Sequence, residues 1–133
     1  DLPLICDWPN RPRQKVCFED GKPSQTRYIV EQQEPQTTLL KLLPITGRSH
    51  QLRVHCMALG NPIVGDEFYA TSDAFNYSDR LALHACELSF YHPSTNQLFK
   101  AFVPCDFYPQ ARPQIEQHFE IAPELPDYSK LKA

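Results

Sequence analysis

Residues 44–62 read Pro-Ile-Thr-Gly-Arg-Ser-His-Gln-Leu-Arg-Val-His-Cys-Met-Ala-Leu-Gly-Asn-Pro. An apolar run ends at Pro44, a glycine turn follows, and a helix over Ser49–Leu59 is predicted. Thr46 or Ser49 can cap its start. Gly60 supplies the stop, and Pro62 cannot continue it. At about 100° per residue, Leu52, Cys56 and Leu59 fall on one face, and His50, Arg53, Val54 and Met57 on the opposite one. The second face mixes a cation with apolar groups. It reads either as the lining of a cleft or as a surface arginine burying its stem.

Outward from the helix the chain reads as strands. Leu2–Cys6 and Lys15–Glu19 are short strands flanking the loop Trp8-Pro9-Asn10-Arg11-Pro12. Thr26–Glu31 and Thr37–Leu43, parted by Glu34-Pro35-Gln36, read as an antiparallel pair. Leu81–Tyr91 and Gln97–Val103 read as a hairpin across Pro93-Ser94-Thr95-Asn96. Thr71–Asp79 reads as an irregular connection, Arg112–Phe119 as a short helix, and the proline-bearing stretch from Ala122 as a fraying tail. Strands outnumber helices, so the expected class is α+β with a mainly antiparallel, mixed sheet and few helices.

Composition bounds the function. The 133 residues suffice for one modest domain, expected over 1–121 with a flexible tail over 122–133. Thirteen Lys and Arg against 16 Asp and Glu give a net charge of −3, which excludes a histone-like polycation. Five widely spaced cysteines, an odd number without any C-x-x-C, fit reduced thiols in a cytosolic protein and offer no zinc site. No apolar run approaches the ~20 residues of a membrane span. The chain starts at Asp1 and its only methionine is Met57, so a piece of a longer protein is expected.

Charge is unevenly placed. No carboxylate lies between Glu34 and Asp66, whereas Lys41, Arg48 and Arg53 do, with His50 and His55. Arg11, Arg13 and Lys15 sit in a proline-containing loop. From the residues alone, two readings stand for the helix start. One is an anion site at the backbone N–H groups with Arg48 at the mouth and Arg53 further in. The other is an ordinary capped helix whose arginines pair with local carboxylates.

The run P-I-T-G-R-S-H-Q-L-R-V-H, continued by L-G-N-P-I-V-G-D-E-F-Y and by R-L-A-L-H-A-C-E-L-S-F-Y-H-P at 80–93, resembles the C-terminal motif of the RluA-type pseudouridine synthases. Gly21-Lys22-Pro23-Ser24-Gln25-Thr26 resembles that family's G-K-P-A-x-T stretch. The N-terminal run to Cys17 resembles the members acting on both 23S ribosomal RNA and the tRNA anticodon stem-loop. The resemblance covers about residues 1–108, and the rest has no counterpart in it. It implies an isomerase that converts uridine to pseudouridine without a cofactor, through an aspartate nucleophile and a target flipped out of the RNA stack. That aspartate lies in an H-R-L-D-x-x-T-S-G motif, and this chain has no such motif. The chain is therefore expected to be the C-terminal part of a catalytic domain and inactive alone. A stand-alone RNA-binding module is the alternative.

By motif position the resemblance makes Arg53 the cation that keeps the absent aspartate ionised. That role predicts an Arg53 directed into a cleft, with no carboxylate of its own. The resemblance places Arg48 and His50 near the RNA entrance, and the Arg11, Arg13 and Lys15 loop can meet phosphates. His84 and His92 are expected to be hydrogen-bonded structural groups, His55 a helix anchor, His118 a surface residue, and Phe68 and Tyr69 loop or core anchors. An exposed apolar face, meant for the rest of the domain, is expected, with self-association through it.

Overall fold

The computed structural model of the chain describes residues 1–105. The expectations for Arg112–Phe119, His118 and the tail from Ala122 lie outside those residues. The described chain falls into two compact units, one of Asp1–Leu52 and one beginning at Arg53.

The first unit holds two antiparallel strand pairs. β1 (Leu4–Cys6) pairs with β2 (Gln14–Val16), setting Leu4 against Val16 and Cys6 against Gln14. Leu4 is one of the few almost wholly buried apolar residues. The Gly21–Ser24 segment lies along the other side of β1. Leu4 and Lys22 exchange backbone hydrogen bonds at 3.0 and 2.8 Å, and Leu2 N–H donates to the Ser24 carbonyl at 3.1 Å. Gly21 is needed there because a Cβ would run into the Cys17 carbonyl and the Pro3 backbone. β3 (Thr26–Gln33) pairs with β4 (Thr38–Pro44), from Thr26 against Pro44 to Gln33 against Thr38, with a bulge between Val30 and Gln32. The bulge adds one residue to β3 and interrupts its in-out alternation.

The second unit begins within helix α1 (Gln51–Ala58). The helix ends as its glycine predicts. Gly60 adopts φ +82°, its N–H donates to the Met57 carbonyl at 2.9 Å, and Asn61 N–H donates to the Cys56 carbonyl at 3.1 Å. This paired closure satisfies two carbonyls that the helix cannot satisfy internally. A second helix, α2 (Ser72–Asn76), replaces the expected irregular connection; Thr71 caps it by accepting from Ala74 N–H. Its few residues carry too weak a periodic signal to be read from sequence. β5 (Glu87–Tyr91) and β6 (Leu98–Phe102) form an antiparallel hairpin with Phe90 opposite Phe99. Residues 81–86, expected in the first strand, precede it without strand structure.

All strand pairings among the described residues are antiparallel, in three two-stranded ribbons, which bears out the α+β class. Buried apolar residues are few, among them Leu4, Val54, Cys56 and Tyr69. Ribbons this narrow leave broad apolar surface open. Tyr28, Ile29 and Val30 on β3 are exposed, as are Leu88, Phe90, Tyr91, Leu98 and Phe99 on the β5–β6 hairpin. Exposed apolar side chains are thus present on each unit. None of the five cysteines, all within the described residues, forms a disulfide.

Candidate nucleic-acid interface

The helix start is organised by one glutamine. Gln51 is buried, and its Oε1 accepts from the Thr46 hydroxyl at 2.7 Å and from Arg48 N–H at 3.0 Å. Its Nε2 donates to the Gln25 carbonyl and to Thr26 Oγ1, both at 2.9 Å. All four hydrogen-bonding positions of the amide are used, which offsets the cost of burying it. Thr46 does not act as the expected cap. Its hydroxyl accepts from Gln25 N–H at 2.9 Å while donating to Gln51. His50, directly before the helix, takes a left-handed φ of 54°, a conformation that costs about 1 kcal/mol or more. Arg48 donates from Nε to the Pro23 carbonyl at 3.1 Å. The loop is therefore held by internal contacts.

The helix faces also differ from expectation. Val54 is completely buried and His55 and Cys56 nearly so, whereas Leu59 is 53% exposed. Val54, placed by periodicity on the mixed face with Arg53, belongs to the core, and Leu59, placed on the apolar face, does not. The glycine closure accounts for Leu59: the residue before a left-handed glycine sits where the helix turns away. Burial pushes the Cys56 thiol up, with the Asp66 charge adding to it.

Arg53 is not the unpartnered cation that its motif position predicts. Its Nε donates to Asp66 Oδ2 at 2.8 Å and its Nη2 to Asp66 Oδ1 at 2.7 Å. The Asp66 side chain is 0% exposed and that of Arg53 15%. Oδ1 also accepts from the N–H groups of Phe68 at 2.9 Å and Tyr69 at 3.2 Å. The guanidinium carbon lies 5.2 Å from the centroids of both the Phe68 and the Tyr69 ring. A two-pronged pair of this kind is the strongest form of charge-assisted hydrogen bond. Burial by itself pushes the Asp66 carboxyl up, but Arg53 and the two backbone donors outweigh it, and the net shift is downward. The hydrogen bonds that Arg53 donates to Asp66 in turn raise Arg53 further above its ordinary range.

The expectation of an Arg53 free of carboxylates is overturned. Its catalytic assignment rests on motif position, and the spare charge which that role predicts is not present: Asp66 takes it up. The carboxylate-free window ended at the very residue that pairs with it. Asp66 was legible as the G-D of Val64-Gly65-Asp66-Glu67, thirteen residues on, but distance along the chain hid the contact. Gly65 makes it possible: its φ is +76°, and a Cβ there would run into the Arg80 backbone. Gly65 N–H donates to the Ala74 carbonyl at 2.9 Å, and Ala82 N–H to the Val64 carbonyl at 3.0 Å. These bonds fix the loop that carries Asp66.

Arg11, Arg13 and Lys15 are exposed. Arg11 lies over the indole of Trp8, its guanidinium carbon 4.9 Å from the ring centroid. Trp8 was not singled out from sequence. The histidines meet the structural reading. His84 Nε2 lies 3.0 Å from the Val103 carbonyl, and His92 Nδ1 accepts from Ser94 and Thr95 N–H. Tyr69 is buried, with its ring edge-on to Phe68.

A family model described as RNA pseudouridylate synthase matches residues 4–58. The chain is 64% identical over 98% of its length to the Dual-specificity RNA pseudouridine synthase RluA of Vibrio vulnificus, and covers 54% of that protein. To the protein of the same name from Escherichia coli it is 56% identical over 80% of its length, covering 49% of that protein. Among solved structures, Human RNA Pseudouridylate Synthase Domain Containing 1 superposes with a TM-score of 0.67 at 29% identity, over 83% of this chain and 49% of that one. The Vibrio match runs past residue 108, so the C-terminal stretch does have a counterpart there. The chain spans about half the length of the curated relatives it matches. Over that half, the chain belongs to the RluA-type family of RNA pseudouridine synthases.

Proposed function

We propose that the protein carrying this chain isomerises uridine to pseudouridine in RNA, with 23S ribosomal RNA and the tRNA anticodon stem-loop as its substrates. The observation that carries this reading is the 64% identity, over nearly the whole chain, to a protein named for that activity. Isomerisation breaks the N-glycosidic bond and rejoins the base through carbon, with no net redox or hydrolytic change. The nucleophile is the family's aspartate, supplied by sequence outside these 133 residues, because H-R-L-D is absent from them. This half contributes a pinned loop before α1, the Arg53–Asp66 pair as a fixed element beside the helix, and cations exposed toward RNA. Arg53 holds its loop to its helix in this account and is not used as the counter-ion of the nucleophile.

The test is pseudouridine formation on an anticodon stem-loop and on a 23S fragment. The protein with the aspartate segment forms product on both, and the 133 residues alone form none. Product on one RNA only narrows the substrate. Absence of product on both, from a folded protein containing H-R-L-D, overturns the reading. Product from the 133 residues alone relocates the active site.

A further inference from the structure

We propose that Trp8 is a stacking platform for an unpaired RNA base, flanked by Arg11 and Lys15, which meet the adjoining phosphates. The inference rests on the RNA substrate proposed above and adds a base-binding position that the family motifs do not supply. Trp8 is the chain's single tryptophan and is 65% exposed, although indole is among the costliest side chains to leave in water.

The loop around it is closed on itself. Asp7 N–H donates to the Arg13 carbonyl at 2.9 Å, Asn10 N–H to the Asp7 carbonyl at 2.9 Å, and Arg13 N–H to the Asn10 carbonyl at 3.0 Å. Pro9 and Pro12 fix two further backbone angles. The indole is thus presented by a preorganised turn, and ordering it on binding costs little. Arg11 covers one face of the ring, so the open surface lies on the remaining face and edges.

Charge favours RNA over a protein partner. Between residues 8 and 18 there are three cations and no carboxylate. Asp7, the nearest acid along the chain, accepts from Asn10 Nδ2 at 2.9 Å. A flat π-face beside several cations matches a base with its flanking phosphates. Stacking of this kind tolerates any base, because every base has a π-face.

The experiment uses the protein that carries this chain and compares wild type with Trp8→Phe, Trp8→Leu and Arg11→Ala. Single-stranded oligouridylate is the probe, with an RNA duplex of equal length as control. The emission difference between wild type and Trp8→Phe isolates the Trp8 signal. It is expected to be quenched by the single strand and not by the duplex. Trp8→Leu keeps apolar bulk without a π-face and is expected to lose roughly 5- to 150-fold in affinity, while Trp8→Phe retains most of it. Circular dichroism checks that the variants stay folded; Trp8→Phe alone carries the quenching result if Trp8→Leu does not. Unchanged Trp8 emission at saturating RNA, or wild-type affinity in folded Trp8→Leu, overturns the inference. If the wild-type protein forms pseudouridine while Trp8 is silent, the stacking role fails and the proposed function stands. If it neither binds RNA nor forms product, both fail.

Discussion

Two arginines in this chain lie over aromatic rings, in opposite surroundings. Arg53 sits over Phe68 and Tyr69 with its charge taken up by a fully buried carboxylate. Arg11 sits over a largely exposed Trp8 with no acid in the following seven residues. The same pair of chemistries serves two ends. In the second unit, burial makes the ion pair costly to break: removing one partner strands the other charge in a low-dielectric site. In the first unit, water screens the cation, so its ring contact is worth under about 1 kcal/mol and its charge remains available to an anion. Sequence alone ranks Arg53 as the functional cation and Arg11 as a lesser one. Burial and partners leave Arg11 the more exposed charge of the two.

The largest effect expected from this contrast is at Asp66. Asp66→Ala leaves Arg53 unpaired and two backbone N–H groups without their acceptor, and is expected to cost about 3–5 kcal/mol. Urea denaturation of this chain measures it. Arg53→Met combined with Asp66→Leu is expected to cost less than Asp66→Ala alone, since neither charge is then stranded. Equal or additive losses would show that the pair is not coupled.

A smaller effect concerns acid. The folded Asp66 carboxyl lies below its ordinary value of 3.8. A group whose folded value is depressed contributes stability above its unfolded value. That contribution is lost as pH falls through the folded value. The pair therefore supports the fold fully at neutral pH and fades below about pH 4. Denaturation midpoints between pH 6 and pH 2 should fall more steeply for the wild type than for Asp66→Leu with Arg53→Met. Parallel curves would place the acid sensitivity elsewhere.

The smallest effect on stability is at Arg11. Arg11→Ala is expected to change the folding free energy by under about 1 kcal/mol. A loss comparable to that of Asp66→Ala would make the Trp8 loop a structural element, contrary to the comparison drawn here.

How much of this was legible follows from the range of each interaction. The α1 stop at Gly60, the β3–β4 pair and the β5–β6 hairpin are written in local pattern and turn residues, and they were readable. The α+β class followed from them. The five-residue α2 was not, because it spans little more than one turn. The burial of Val54 and the exposure of Leu59 do not follow from the helix pattern, because periodicity orients side chains without saying what packs on them. Gln51, which satisfies four partners from Gln25 to Arg48, is a polar residue whose burial no hydropathy pattern announces. The Arg53–Asp66 contact joins residues thirteen apart through a loop that only Gly65 permits. Its signal, the acid closing a carboxylate-free window, was visible without its meaning. Trp8 carries no such signal because a proline-rich loop offers no periodicity, and exposure is what marks it.

The central contrast proposed is that Arg11 offers its charge to RNA whereas Arg53 gives its charge to Asp66. It is tested most directly by the salt dependence of RNA affinity in the protein that carries this chain, wild type against Arg11→Ala. Each single-strand phosphate neutralised contributes about −0.7 to the slope of log affinity against log salt. The account predicts weaker binding by Arg11→Ala and a slope shallower by about 0.7. An unchanged affinity and slope would contradict it.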